Sequence, residues 1–502
     1  MSSGRTKSLL LASALLASVG QPVAANAAAP PAPLRIQPVD RFVWVYDDAG
    51  TGAARDVSLW RPDTTAYPGY YSLGDVAMGA HGKRPANVFL VAGDSGVVAR
   101  PTGYRLVWSD HGSGGTHDVS LWAPVPPSGY TCLGNVASPS YSQPSTDRIR
   151  CVRSDYTRAG SPVKIWDDSE SGADSDVGIW QSDPSDHRGL PPSTFVARAS
   201  HTDPGSPSLF RVLDKRMTNA AALSAAPMDG SRATLFAPVV TLHPRERYFP
   251  STTQHFLANT HERDGHLVTN EPLGCDSCTD PAFLDGQNPG RQAVNAYALI
   301  VPRTSNGAPT DTVDIIYWMF YPYNNGKRVC IGVETDGTCV GGWSTFGNHV
   351  GDWEHITVRF REGLPEKIFY SQHSGGETFT FGDKNVPLAN WRIGVYSALG
   401  SHGAYPDAGR HVYRTLPNGS DLADDTADGT RWDTRTNLIS FPWRPKGSYT
   451  GSLSWLDIAS RWGNPKSGCA VVEPVSGECV LNDGPAGPMF KSYSQPPLKP
   501  LE

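Results

Sequence analysis

The residues best placed to do chemistry fall in one short segment, Gly347-Asn348-His349-Val350-Gly351-Asp352-Trp353-Glu354. It runs directly into His355-Ile356-Thr357-Val358-Arg359-Phe360, whose alternation of apolar and polar residues predicts a strand. On a strand, Asp352 and Glu354 are two apart, so both carboxylates point to one face and Trp353 to the other. His349 sits in the glycine-flanked approach and can fold back towards them. Two carboxylates and an imidazole at a strand edge, with amides and hydroxyls nearby, form a mixed oxygen and nitrogen donor set. Such a set suits a divalent cation, magnesium, calcium or manganese, better than zinc or another thiolate-seeking metal. The alternative is a buried polar network in which His355 or an arginine neutralises the acids, since buried carboxylates need partners under either reading.

Two further histidines are candidates to line the same pocket: His373, in Tyr370-Ser371-Gln372-His373-Ser374-Gly375-Gly376, and His402, in Ser401-His402-Gly403. Each follows an apparent strand and is flanked by glycine, where a ligand can approach closely; a histidine beside glycine is also a common loop residue. An ion held here has two uses. It can bridge to sugar or phosphate oxygens, which makes a binding module, or activate water with His402 or His373 as general base, which makes a secreted metal-dependent hydrolase acting on a glycan or phospholipid head group. No G-x-S-x-G elbow comes with convincing triad partners, so serine catalysis is the weakest option.

The elements that must position this cluster are strands. Val313 to Phe320 is strongly apolar and ends at Tyr321-Pro322-Tyr323-Asn324-Asn325-Gly326; an excursion from Cys330 to Cys339 then returns the chain to His349. The eight cysteines form four local pairs, Cys132 with Cys151, Cys275 with Cys278, Cys330 with Cys339, and Cys469 with Cys479. A metal or redox centre at Cys275-Asp276-Ser277-Cys278 lacks a second nearby C-x-x-C, which favours structural disulfides. Arg5 and Lys7, the apolar run Leu9 to Val19 and the small residues up to Ala27 predict a signal peptide over 1–27. That run is too short to cross about 30 Å of hydrocarbon, so a secreted chain without a transmembrane segment, extracellular or periplasmic, is expected.

The N-terminal half repeats itself. Asp56-Val57-Ser58-Leu59-Trp60 recurs as Asp118-Val119-Ser120-Leu121-Trp122 and, more worn, as Asp176-Val177-Gly178-Ile179-Trp180. Each copy follows an Asp- and Gly-rich turn, and the first two run on into Gly-Tyr and Leu-Gly-Asp/Asn-Val. Three short β-units of this kind, packed about a pseudo-threefold axis, would bury faces that no single unit can bury, which describes a β-prism. The turn aspartates could bind calcium, but hairpin turns also need residues that tolerate positive φ. Trp60 and Trp122 read as core before they read as sugar platforms. The abundance of turn formers, 51 Gly and 43 Pro, supports an all-β protein of many short strands. The expected organisation is a β-prism-like domain over 38–214, a linker or short helix over 215–233, and a β-sandwich domain with short helices over 234–490. The net charge of −6 argues against nucleic acid as a general partner.

The stretch from Ala237 to Pro488 resembles the vacuolar protein sorting-associated protein 62 family. The resemblance rests on His243-Pro244-x-Glu246-x-Tyr248-x-Pro250-Ser251, Gly351-Asp352-Trp353-Glu354-His355-Ile356-Thr357, Ser401-His402-Gly403-Ala404-Tyr405-Pro406, Trp432-Asp433 and Arg461-Trp462-Gly463-Asn464-Pro465. The repeats also resemble those of vacuolar sorting proteins and of membrane-associated β-prism modules. More distantly, Tyr317-Trp318-Met319-Phe320-Tyr321-Pro322-Tyr323-Asn324 with Gly347 to His355 is similar to the core of the necrosis- and ethylene-inducing (NPP-type) proteins, whose G-H-R-H-D-W-E heptapeptide supplies a cation site on a β-sandwich. That resemblance places His349, Asp352 and Glu354 on metal ligands, Asn324 on the remaining acidic one, and Gly351 on the second histidine. Tyr317, Trp353, His373 and His402 are then expected around the pocket. The implied function is a cation-dependent, toxin-like protein that binds a membrane lipid head group or glycan.

Overall fold

Each repeat folds into a small antiparallel sheet. Phe42–Asp47, Ser58–Pro62 and Val76–Met78 form the first, and Gly103–Ser109, Ser120–Val125 and Val136–Ser138 the second. Thr157–Asp167, Gly178–Pro184 and Phe195–Arg198 form the third within a larger five-stranded sheet. The computed structural model describes residues 1, 32–94, 96–225, 227–274, 280–330, 332–335, 338–416, 419, 421–470, 473 and 477–501. The expected signal peptide and the Cys275–Cys278 pair lie outside the described residues.

The repeats close on one another through a ring of backbone hydrogen bonds. Asp75 N–H donates to the Asn135 carbonyl at 2.9 Å, Asn135 to Phe195 at 2.8 Å, and Phe195 back to Asp75 at 3.0 Å. Apolar residues that alternate along the middle strands (Val57 and Leu59, Val119 and Leu121, Val177 and Ile179) meet Tyr46, Trp108 and Trp166 in a shared core. The turn aspartates do not themselves carry the positive φ expected of them. Positive φ falls on Gly50, Gly112 and Gly172, whereas Asp48, Asp110 and Asp168 accept the N–H of Val57, Val119 and Val177 at 2.9, 3.1 and 2.7 Å. Trp122 is buried and Trp60 half-buried, and their indoles donate to Ser120 and Ser58.

The second half is built on a six-stranded sheet in the order Gly375–Thr380, Leu364–Gln372, His349–Arg361, Ala308–Asn324, Ala296–Ser305, Leu438–Pro442. Strand Ala308–Asn324 is covered on both faces. Ile315, Tyr317, Met319 and Tyr321 join one core, and Ile316, Trp318 and Phe320 join another with Trp353, Trp455 and Trp462. The first of these cores lies against a smaller sheet that pairs Val239–Leu242 in parallel with Arg392–Ser397, and it also takes in Phe89, Leu190 and Leu213 of the repeat half. Residues Pro33–Glu502 are accordingly one compact unit. The 215–233 segment contains a 3-10 turn, Lys215–Met217, and the helix Ala221–Ala225; a second helix, Gly230–Phe236, places Ala233 and Phe236 in the shared core. Disulfides join Cys132 to Cys151, Cys330 to Cys339 and Cys469 to Cys479, as expected. No helix among the described residues is long and apolar enough to cross a membrane.

Candidate functional site

Strand His349–Arg361 delivers the carboxylates as its alternation requires: Asp352 opposes Tyr321 and Glu354 opposes Met319, while Trp353 turns into the opposite core. A cavity of about 360 Å³ opens where this strand begins, and Asn324, His349, Asp352, Trp353, Glu354 and His373 all line it. Gly351 has φ +71°, and a Cβ there would stand 2.0 Å from the Trp462 carbonyl oxygen. No side chain fits at this position.

The donors are arranged unequally. His349 Nδ1 donates to the Gly351 carbonyl at 2.6 Å, and burial lowers its pKa, so the neutral ring presents the Nε2 lone pair. A backbone carbonyl on the far nitrogen is the usual support for a metal-ligating histidine. Asn324 commits its amide nitrogen to the Gly347 carbonyl at 2.8 Å, leaving its oxygen as the group it can offer an ion. Burial raises Asp352, but the His402 hydrogen bond at 3.1 Å, with the Lys491 ammonium nearby, outweighs it and holds the carboxyl below its usual range. Glu354 is 8% exposed and its Oε2 has no hydrogen-bond partner. Burial and then the neighbouring Asp352 charge push it well above the usual carboxylate range.

His402 is set behind the cavity wall. Its ring stacks on Tyr321 at 3.8 Å, and its Nε2 meets the Tyr248 carbonyl at 2.9 Å. Contacts on both ring nitrogens fix its orientation. His402 therefore orients Asp352. His402 and His373 both hold positive φ, +61° and +50°, so the unusual backbone belongs to the histidines themselves and not only to the flanking glycines. Tyr317 does not reach the cavity. Its hydroxyl donates to the Ala233 carbonyl at 2.8 Å inside the shared core, because the strand continues several residues past it before the cavity opens.

The neutralising partners considered for the acids are elsewhere. His355 projects to the other face, between Trp318 and Tyr493, where burial keeps its ring neutral. Arg359 belongs to Asp314.

A second cluster, with no motif to announce it, is held together by Asp424 and supplies Lys327, Ser401 and His373 to the cavity lining. Asp424 accepts from Lys327 at 2.7 Å, Ser401 at 2.5 Å, Tyr405 at 2.9 Å and His373 at 2.9 Å. Burial raises its pKa, but the His373 and Lys327 contacts override this and hold it far below the carboxylate range. Lys491 also lines the cavity, donating to the Trp353 carbonyl at 3.3 Å. Asp424 lies in the unremarkable polar run Asp421-Leu422-Ala423-Asp424-Asp425, and only its full burial singles it out.

Among the described residues, three sets of carboxylate, imidazole or cysteine sulfur atoms lie within 4.8 Å of one another. They are Asp48/Asp56/His81, Asp168/Asp176/His201 and the disulfide-bearing Cys469/Glu473/Cys479. The cavity donors are not gathered as closely as these.

A family model described as vacuolar protein sorting-associated protein 62 matches residues 31–270 and 292–467, so the likeness extends over the threefold repeat as well as the second half. In Saccharomyces cerevisiae, the putative vacuolar protein sorting-associated protein TDA6 is 27% identical over 323 residues, 51% of this chain and 66% of that protein. Vacuolar protein sorting-associated protein 62 of the same yeast is 25% identical over 321 residues, 52% and 65%. The chain thus spans just under two thirds of the length of either relative. Among solved structures, Necrosis and Ethylene inducing Protein 2, from the causal agent of cocoa's Witches Broom disease, is 14% identical. That match covers 43% of this chain and 73% of the other, with a TM-score of 0.22.

Proposed function

The chain belongs to the vacuolar protein sorting-associated protein 62 family, and from that premise we propose that it is a secreted, toxin-like protein that binds a membrane lipid head group or a glycan through a divalent cation, magnesium or calcium. The observation that carries the reading is Glu354, a buried carboxylate with an unpartnered oxygen facing a cavity that already holds Asp352. His349 Nε2, the Asn324 oxygen, Asp352 and Glu354 are the groups that would hold the ion, all hard or borderline donors. When bound, the cation supplies exchangeable positions for sugar or phosphate oxygens. The protein's own part is to fix the His349 tautomer through the Gly351 carbonyl, to hold Asp352 charged through His402, and to balance the acids with Lys491.

Purified protein incubated with liposomes and a glycan panel, with and without chelator, tests this. Retention that the chelator abolishes, without product formation, is expected. Retention unaffected by chelator overturns the cation's role. The His373–Asp424 pair, set in the same cavity as a general base would be, favours one alternative, a metal-assisted hydrolase; chelator-sensitive turnover of a glycan or phospholipid would establish it.

A further inference from the structure

The three seams between the repeats are related by the fold, and they are completed differently. Strand register makes Asp75, Asn135 and Phe195 equivalent, each standing before the valine that pairs with Trp60, Trp122 or Trp180. It likewise aligns Arg61, Ala123 and Gln181, each following its tryptophan. In the first seam, Arg61 pairs with Asp75 at 2.7 Å and donates to the Ala137 carbonyl at 2.5 Å, while Ala137 N–H donates to Asp75 at 2.9 Å. At the equivalent positions of the third repeat, Phe195 is fully buried and the Gln181 oxygen accepts from Lys384 of the C-terminal half.

The second seam has neither device. With Ala123 and Asn135 in place of the arginine and the aspartate, a groove of about 720 Å³ opens. Two buried donor atoms of its lining residues, Asn135 Nδ2 and Arg198 Nε, have no hydrogen-bond partner among the described residues. Asn135 is only 5% exposed, so its amide cannot turn to bulk water. Arg105, exposed, adds a second guanidinium to the lining. The one lining carboxylate, Asp203, accepts from its own loop through Gly205 N–H at 2.7 Å. Leu106 and Leu209 stand in the same lining, 54% and 40% exposed.

We propose that this groove between the second and third repeats is a binding site for an oxyanion, with a phosphate monoester as the ligand class. Unpaired donors, one of them charged, require an acceptor, and a guanidinium matches phosphate oxygens through paired hydrogen bonds. The exposed leucines accommodate an apolar body attached to that group, whether the phosphate comes from a lipid or a soluble metabolite. The site is separate from the cation cavity and does not depend on that reading.

Calorimetry on the full chain with inorganic phosphate and glycerol 3-phosphate, and co-sedimentation with phosphatidylcholine vesicles with or without phosphatidic acid, test the proposal. Chelator is present throughout to silence the cation cavity. Binding of the soluble phosphates alone identifies a soluble ligand; retention only on phosphatidic acid vesicles identifies a lipid. The double substitution A123R/N135D rebuilds the ion pair of the first seam and is expected to abolish binding. R198Q, which keeps the shape but removes the charge, is expected to weaken it about tenfold. Melting curves report whether each variant is folded. Failure of the wild type to bind any of these probes overturns the proposal, as does unchanged binding by folded A123R/N135D. If the double variant does not fold, unchanged binding by R198Q overturns it.

Discussion

Two buried carboxylate clusters occupy the same pair of strands, Ala308–Asn324 and His349–Arg361, and they are neutralised in opposite ways. Asp314, fully buried, receives Arg303 Nε at 2.7 Å and Arg359 through Nε at 2.9 Å and Nη2 at 2.8 Å. Those guanidiniums also donate to the carbonyls of Tyr493 and Lys499. Further along the strands, Asp352 has the His402 hydrogen bond, while Glu354 is left with an unpartnered oxygen beside a second negative charge. Burial of charge alone therefore does not mark function on this sheet. What separates the two clusters is the balance of buried acceptors and donors, met at Asp314 and not at Glu354.

The comparison breaks most visibly at Asp314. Asp314→Ala leaves two buried guanidiniums without their counter-charge and is expected to cost about 3–5 kcal/mol in urea unfolding. A loss under about 1 kcal/mol would mean that water replaces the carboxylate and that the cluster is not architectural.

Asp424→Asn, at the centre of the second cluster, is expected to cost about 1.5–3 kcal/mol at neutral pH through its charged hydrogen bonds. The folded protein holds this carboxyl below the ordinary value of 3.8, so its contribution is present above that pH and is lost as pH falls towards the folded value. The gap between wild type and variant should accordingly close in acid. A gap that is constant with pH would show that hydrogen-bond geometry, and not charge, is lost.

Glu354→Gln is expected to leave the cation-free protein at least as stable as the wild type at neutral pH, since it removes the cost of a carboxyl raised by burial and by Asp352. Glu354 has the opposite linkage from Asp424. Its folded pKa is raised, so its contribution is full below the ordinary value of 4.5 and lost as pH rises. The variant should gain on the wild type as pH increases. It should also lose the rise in melting temperature that calcium or magnesium gives the wild type. A severely destabilised variant, beside a wild type whose midpoint ignores both cations, would make this cluster architectural like Asp314.

The mildest intervention is a protease nick within 215–233. The shared core predicts two pieces that stay together in native buffer and separate in denaturant. Immediate release of two free compact pieces would show that the core between the halves contributes little.

Much of the site was legible in the sequence because it depends on local periodicity. The two-residue spacing of Asp352 and Glu354 dictated a common face, the close cysteine spacings announced three disulfides among the described residues, and the recurring Asp-Val-x-Leu-Trp pattern announced three β-units. Local pattern did not reveal that Tyr317 stops short of the cavity or that His402 stands behind Asp352. Nor did it show that Asp424 reaches Lys327 and His373 from distant segments. Those contacts bridge dozens of residues or more, and no periodicity encodes them.

By itself the sequence determined which faces are apolar, where the chain turns and which groups can carry charge, since each follows from residue type and near-neighbour spacing. Only the tertiary structure decided which charges are balanced. Neutralisation depends on which distant strands pack within hydrogen-bond reach, and on this sheet that packing supplies two arginines to Asp314 and leaves Glu354 short of a partner.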